Sequence, residues 1–199
     1  MDKEYKVRRA AQRQAIIKQR QALTYEQVQT LSAQVRAQVL AHPFLHEART
    51  IASYLSFSGE IDTIELNQAL KAQHHQVGLP VIVPQERGRM DFYRYGSLEE
   101  LVLNQYKIRE PVPSLEALIK PHELEVIVVP LVGFNQYGDR LGMGGGYYDR
   151  MLKKISANCL TLGLAYDFQR DDSIECKAWD MPLDEIITPT QHYRFHHKY

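Results

Sequence analysis

The sequence predicts an α/β protein with a mainly parallel sheet, on three observations. Apolar runs rich in β-formers alternate with stretches of helical spacing along the chain. Residues 126–134 form a nearly continuous apolar run, the pattern of a strand buried on both faces. Hydrophobic residues make up 44% of the 199 positions, enough for a substantial core in one domain spanning 1–199.

The elements follow in order. Residues 3–40 carry few turn formers, and Val7, Ala10, Ala11, Ile16, Ile17 and Leu23 recur near a helical period. Thr24-Tyr25-Glu26-Gln27 reads as a capping box that opens a second helix through about residue 40, and His42-Pro43 ends it. A strand is expected over 50–57, then a loop with a helix start at Asp62-Thr63 and a helix through about Ala72. Residues 77–83 and 90–95 read as strands, 98–103 as a short helix, and 107–114, with Pro111 and Pro113, as a loop. After the 126–134 strand come a glycine-rich turn, a helix over 147–154 and strands at 159–165 and 185–188. The run 192–199, with His192, His196 and His197, reads as a frayed, solvated tail rather than a metal tract, because no carboxylate or cysteine stands near it in sequence.

Composition narrows the function classes. Lys plus Arg and Asp plus Glu both number 24, so the formal net charge is zero. A whole-protein attraction to nucleic acid or anionic membrane is not indicated. The basic residues of 3–20 could touch RNA, but no aromatic platform is interleaved with them. Two cysteines, Cys159 and Cys176, form no CxxC and are expected to be reduced thiols. No apolar run has membrane-spanning length, and the basic N-terminus lacks an apolar core, carries Asp2 and Glu4, and has no serine before Ser32. A cytoplasmic protein is expected, acting as a monomer.

The chemistry concentrates in Arg140-Leu141-Gly142-Met143-Gly144-Gly145-Gly146-Tyr147-Tyr148-Asp149-Arg150, between a buried strand and a helix. Glycines let backbone approach a ligand closely. Amides at a following helix start favour an anion. Arg140 and Arg150 supply charge suited to phosphate oxygens, and Asp149 can face a magnesium ion carried by those phosphates. The stretch therefore reads as a polyphosphate site. It is not a P-loop, and Tyr147 stands where GxGxxG would need its last glycine.

This stretch, with Val129-Pro130-Leu131-Val132-Gly133-Phe134 and Gly138-Asp139 before it, resembles the signature of the 5-formyltetrahydrofolate cyclo-ligase family, also called methenyltetrahydrofolate synthetase. The resemblance continues in Tyr54-Leu55-Ser56-Phe57-Ser58-Gly59-Glu60-Ile61-Asp62-Thr63, Leu79-Pro80-Val81, Glu110-Pro111, Gly163-Leu164-Ala165-Tyr166-Asp167, Asp180-Met181-Pro182-Leu183-Asp184 and Ile186-Ile187-Thr188. It implies ATP-dependent conversion of 5-formyltetrahydrofolate to 5,10-methenyltetrahydrofolate with release of ADP and phosphate, through phosphorylation of the formyl oxygen and ring closure. It also implies a three-layer α/β sandwich similar to the sugar-phosphate isomerase and CoA-transferase superfamily.

Carried over residue by residue, the resemblance assigns ATP to Arg9, Arg13, Arg140, Gly142, Gly144, Gly145, Gly146, Tyr147 and Tyr148. It assigns the folate to Leu55, Glu60, Met143, Gly144, Gly145, Gly146 and Tyr147, and Mg2+ to Asp149 and Asp180. Glu60, Arg140 and Tyr147 are the implied catalytic residues. Arg9 and Arg13, four apart, share a helix face and can converge on one phosphate group. The chain departs from the family pattern at Arg9, where lysine is common, at Gln12 in place of leucine, and at Asn135 in place of aspartate.

Overall fold

The structure, a computed structural model, describes residues 3–104, 108–177 and 179–195. Its helices are α1 (Lys3–Gln21), α2 (Tyr25–Leu40), α3 (Ile64–Ala72) and α4 (Tyr147–Leu152). Its strands are β1 (Thr50–Ala52), β2 (Gln76–Ile82), β3 (Met90–Arg94), β4 (Val102–Leu103), β5 (Arg109–Glu110) and β6 (Leu118–Ile119). They continue with β7 (Val126–Val129), β8 (Gly133–Phe134), β9 (Arg140–Leu141), β10 (Leu160–Leu164), β11 (Glu185–Ile187) and β12 (His192–Arg194).

One eight-stranded sheet runs in the order β12-β11-β10-β7-β1-β2-β3-β6. The strands β11, β10, β7, β1 and β2 are parallel, and β12, β3 and β6 add antiparallel edges. The α/β class and the mainly parallel sheet hold. Strand β7 shows why its sequence is apolar throughout. Val126 and Val128 pack with Val35, Val39, Leu66 and Leu70 of α2 and α3, whereas Ile127 and Val129 pack with Met151 and Leu152 of α4. Alternate residues of one strand thus feed cores on both sides of the sheet. A third cluster, Ile16 with Val132, Leu141 and Ile174, seats α1 against the β8–β9 hairpin.

The expected capping box is present: Thr24 Oγ1 accepts from Gln27 N–H, and Gln27 Oε1 accepts from Thr24 N–H. Several boundaries differ from expectation. The run 126–134 is two elements, because Pro130 has no N–H to continue the ladder and the chain turns into the β8–β9 hairpin. The strand expected over 50–57 stops at Ala52; beyond it Thr63 Oγ1 and Asn67 Nδ2 both donate to Tyr54 O, so side chains replace the ladder. Residues 98–103 split into a 3₁₀ turn, Leu98–Glu100, and β4, which pairs with β5 inside the expected loop 107–114. Lys107 lies outside the described residues. The helix expected over 147–154 ends at Leu152.

The tail reading is corrected at its first residues. His192–Arg194 is an edge strand, and His192 Nε2 lies 2.5 Å from Glu185 Oε2, which also sits 2.9 Å from His42 Nε2. The carboxylate missing in sequence is supplied by strand pairing. His42 Nδ1 accepts from Phe44 N–H, which leaves the proton of the neutral ring on Nε2 to donate to Glu185. The cluster therefore fastens the end of α2 to the sheet edge. His196 and His197 lie outside the described residues. Both cysteines are free, and burial pushes each thiol up to about 12. Among the described residues no helix is long and apolar enough to cross a membrane.

Candidate active site

Parallel strands put their carboxyl ends on one side, and the loops after β1 and β7 meet there. Together with α1 and the glycine-rich turn they enclose a cleft of about 990 Å³. That is the upper end of the ~300–1,000 Å³ typical of ligand pockets. Every residue assigned above to ATP, folate or metal lines it: Arg9, Arg13, Leu55, Glu60, Arg140, Gly142, Met143, Gly144, Gly145, Gly146, Tyr147, Tyr148, Asp149 and Asp180.

At one end stands Glu60. Ser53 Oγ, Tyr54 O, Ser56 N–H, Thr63 and Asn67 form a closed set of hydrogen bonds that fixes residues 53–63. Phe57 N–H donates to Glu60 Oε2 at 3.2 Å, and Tyr166 Oη donates to Glu60 O at 3.3 Å. Glu60 is only 6% exposed, and burial pushes its carboxyl up to about 7, against the pull of Arg20 and the Phe57 amide. Leu55 is half-buried against the core, and Met143 is exposed across the mouth.

At the other end the turn 142–146 meets α1. Gly144 has φ +95, a conformation L side chains rarely adopt, and a Cβ there would stand 3.6 Å from Arg13 Nη2. Arg13 Nε donates to Gly142 O at 2.6 Å. Gly146 opens α4, which is six residues long, so the helix offers the turn little macrodipole. Arg150 Nη1 donates to Gly145 O and braces the turn, and the side chain also lines the cleft. Tyr147 and Tyr148 begin α4, half-buried beside the α4 face of the sheet; burial also raises Tyr148 well above the usual phenol range.

The two aspartates are each held by an arginine. Arg140 Nη2 donates to Asp149 Oδ1 at 2.6 Å, and Arg140 Nη1 to Met181 O. Arg9 Nη1 donates to Asp180 Oδ2 at 3.1 Å, and to Tyr5 Oη and Glu175 O. Met181 N–H lies 3.4 Å from Asp149 Oδ1, which brings the chain beside Asp180 to the first aspartate. Two carboxylates opening on the same cleft as the turn are a donor set of hard oxygens, which suits magnesium.

Asn135, where the resemblance left no role, is buried and organises the β8–β9 turn. Its Oδ1 accepts from Tyr137 and Asp139 N–H, and its Nδ2 donates to Asp139 Oδ2 and Ile174 O. Sequence reasoning missed several lining residues, among them Tyr5, Tyr54, Arg87 and Trp179, which look like ordinary core or surface positions in the chain. It also missed Arg20, for which a signal existed: Arg20 continues the helical stripe of Arg9 and Arg13.

Comparison with known proteins identifies the family and the fold. The solution structure of Aquifex aeolicus 5,10-methenyltetrahydrofolate synthetase superposes with a TM-score of 0.82 at 29% identity, covering 96% of this chain and 94% of that one. A 5,10-methenyltetrahydrofolate synthetase from Mycoplasma pneumoniae superposes with a TM-score of 0.72 at 26% identity, covering 91% and 98%. The 5-formyltetrahydrofolate cyclo-ligase of Escherichia coli strain K12 is 38% identical over 177 residues, 88% of this chain and 97% of its own. The Haemophilus influenzae cyclo-ligase is 39% identical over 142 residues, 71% and 76%. The sequence model of the family matches residues 5–189, and the chain belongs to the 5-formyltetrahydrofolate cyclo-ligase family of enzymes.

Proposed function

We propose that this chain converts 5-formyltetrahydrofolate to 5,10-methenyltetrahydrofolate, with ATP going to ADP and phosphate. In this reading the formyl oxygen attacks the γ-phosphorus and the bond to ADP breaks. The neighbouring anilino nitrogen then adds to the activated formyl carbon and gives up its proton. The carbon–oxygen bond to phosphate breaks, and inorganic phosphate leaves with the ring closed. Such a route asks for placement and charge stabilisation, not a protein nucleophile.

The residues divide by the ends of the cleft. Arg9, Arg13, Arg140 and the backbone of Gly142, Gly144, Gly145 and Gly146 take the phosphates. Tyr147 and Tyr148, which line the cleft, offer flat faces to the pterin or the adenine in this reading, and Leu55 and Met143 would flank the pterin. In its ionised form Glu60 accepts hydrogen bonds from the pterin end and orients the formyl group. Asp149 and Asp180 would hold a magnesium ion, which neutralises phosphate charge when bound.

The observation that carries this reading is the single continuous cleft joining Glu60 to the arginine-lined turn. A reaction between two substrates needs both in one water-poor space. The test is product absorbance with purified protein, 5-formyltetrahydrofolate, ATP and magnesium, omitting each in turn. Product that depends on all three is the expected result; folded protein that forms none overturns the proposal.

A further inference from the structure

Helix α1 reaches both ends of the cleft. Arg9, Arg13 and Arg20 lie at i, i+4 and i+11, which at about 100° per residue fall within an arc of about 40°. Arg9 and Arg13 line the cleft; Arg20 does not, and is 1% exposed. Its Nη1 is 3.5 Å from Glu60 Oε1 and 3.4 Å from Leu131 O. Its Nε and Nη2 have no hydrogen-bond partner among the described residues. The loop that carries Glu60 rests on the same turn of helix: Gly59 has φ +73, and a Cβ there would stand 3.0 Å from Arg20 O. The structure has buried a guanidinium with two unpartnered donor nitrogens directly behind one carboxylate.

We infer that Arg20 is a positioning residue for the folate end of the reaction, holding the Glu60 carboxyl group in place and aimed into the cleft without touching either substrate. The inference rests on the reading of Glu60 as the carboxylate that meets the folate.

Burial alone favours the neutral acid at Glu60, and Arg20 is the largest influence opposing it. The other titratable groups facing Glu60 are Tyr54 in the loop after β1, Tyr148 on α4 and Tyr166 after β10. Burial raises all three phenols, so they stay neutral and supply no compensating charge. A guanidinium cannot give up its proton in a protein, so the charge behind Glu60 is permanent. Helix α1 also fixes spacing. Eleven residues at 1.5 Å rise separate Arg9 from Arg20 by about 16 Å along its axis. One rigid element thus sets the phosphate grip and the folate carboxylate at a fixed distance from each other.

The test compares Arg20→Met, Arg20→Lys, Glu60→Gln and the double variant Arg20→Met with Glu60→Gln, in the full chain. Folate kcat and KM are measured across pH, and magnesium–ATP affinity by calorimetry without folate. Arg20→Met is expected to lower kcat/KM for 5-formyltetrahydrofolate by about 100-fold, the scale of a misplaced catalytic contact. Its acid limb moves to higher pH, while ATP affinity is unchanged. Arg20→Lys, which keeps the charge, recovers part of the loss. The double variant is no slower than Glu60→Gln, because Arg20 acts only through Glu60. It also removes the uncompensated buried charge, so it reports even where Arg20→Met folds poorly. Three results overturn the inference: folate kinetics untouched in Arg20→Met, losses that multiply in the double variant, or ATP affinity falling in step with folate use. If Glu60→Gln itself turns over normally, the reading of Glu60 fails. If Glu60→Gln is damaged and Arg20→Met is not, only the role of Arg20 fails.

Discussion

Glu60 gives a prediction in pH. Its carboxyl titrates at about 7 in the folded chain, against a usual 4.5, because burial penalises the charge more than Arg20 and the Phe57 amide favour it. At pH 6 about one molecule in eleven then carries the carboxylate, and at pH 8 about ten in eleven. If the ionised form orients the folate, kcat/KM for 5-formyltetrahydrofolate rises about tenfold from pH 6 to pH 8, half-maximal near 7. The same group bears on stability. Between pH 4.5 and 7 the unfolded chain has released this proton and the folded chain still holds it. Raising pH through that window therefore favours the unfolded chain, and stability present below 4.5 is lost above 7. The interval corresponds to about 3 kcal/mol. The assay is phosphate release at saturating ATP and magnesium, with limiting folate, for the parent and Glu60→Gln, beside melting curves for both. A parent profile that is flat or falls through this range refutes the argument. So does a rising limb that survives in Glu60→Gln.

Other consequences can be checked directly. Asp180→Asn removes the negative charge that pairs with Arg9 and one anionic oxygen donor, so the magnesium concentration for half-maximal rate should rise about tenfold, read from a metal titration at fixed ATP. Gly144→Ala forces a side chain into φ +95 at a cost of about 1–2 kcal/mol and should weaken ATP binding in calorimetry. At Gly142 a Cβ meets nothing within 4 Å, so Gly142→Ala should fold with the parent's melting temperature. Thr24→Ala deletes one half of the capping box and should lower stability by about 1 kcal/mol in denaturant titration, with kcat unchanged.

Much of this architecture was legible in the chain because its causes are local. The apolar run 126–134 reads as a doubly buried strand, which holds for 126–129, and Thr24 with Gln27 reads as a helix start. The glycine-rich turn reads as a ligand site because its composition has little other use. What was hidden depends on partners far away in sequence. The strands β6, β9 and β12 are two or three residues long and exist only because neighbours supply their hydrogen bonds. Arg20 looks like one more solvated charge on a basic helix until Glu60, forty positions on, is folded against it. Likewise His192 looked unpartnered until pairing with β11 brought Glu185 beside it.

The coupling of Arg140 to Asp149 and of Arg9 to Asp180 changes how an alanine scan of this cleft should be interpreted. Deleting either arginine subtracts a positive charge and also bares a negative one, so the polyphosphate proposed for this cleft would meet two adverse changes at once. The measured loss then overstates what the deleted side chain contributed. Neutralising both members of a pair together separates the two effects. The fair comparison for Arg140→Gln is the same substitution made with Asp149→Asn.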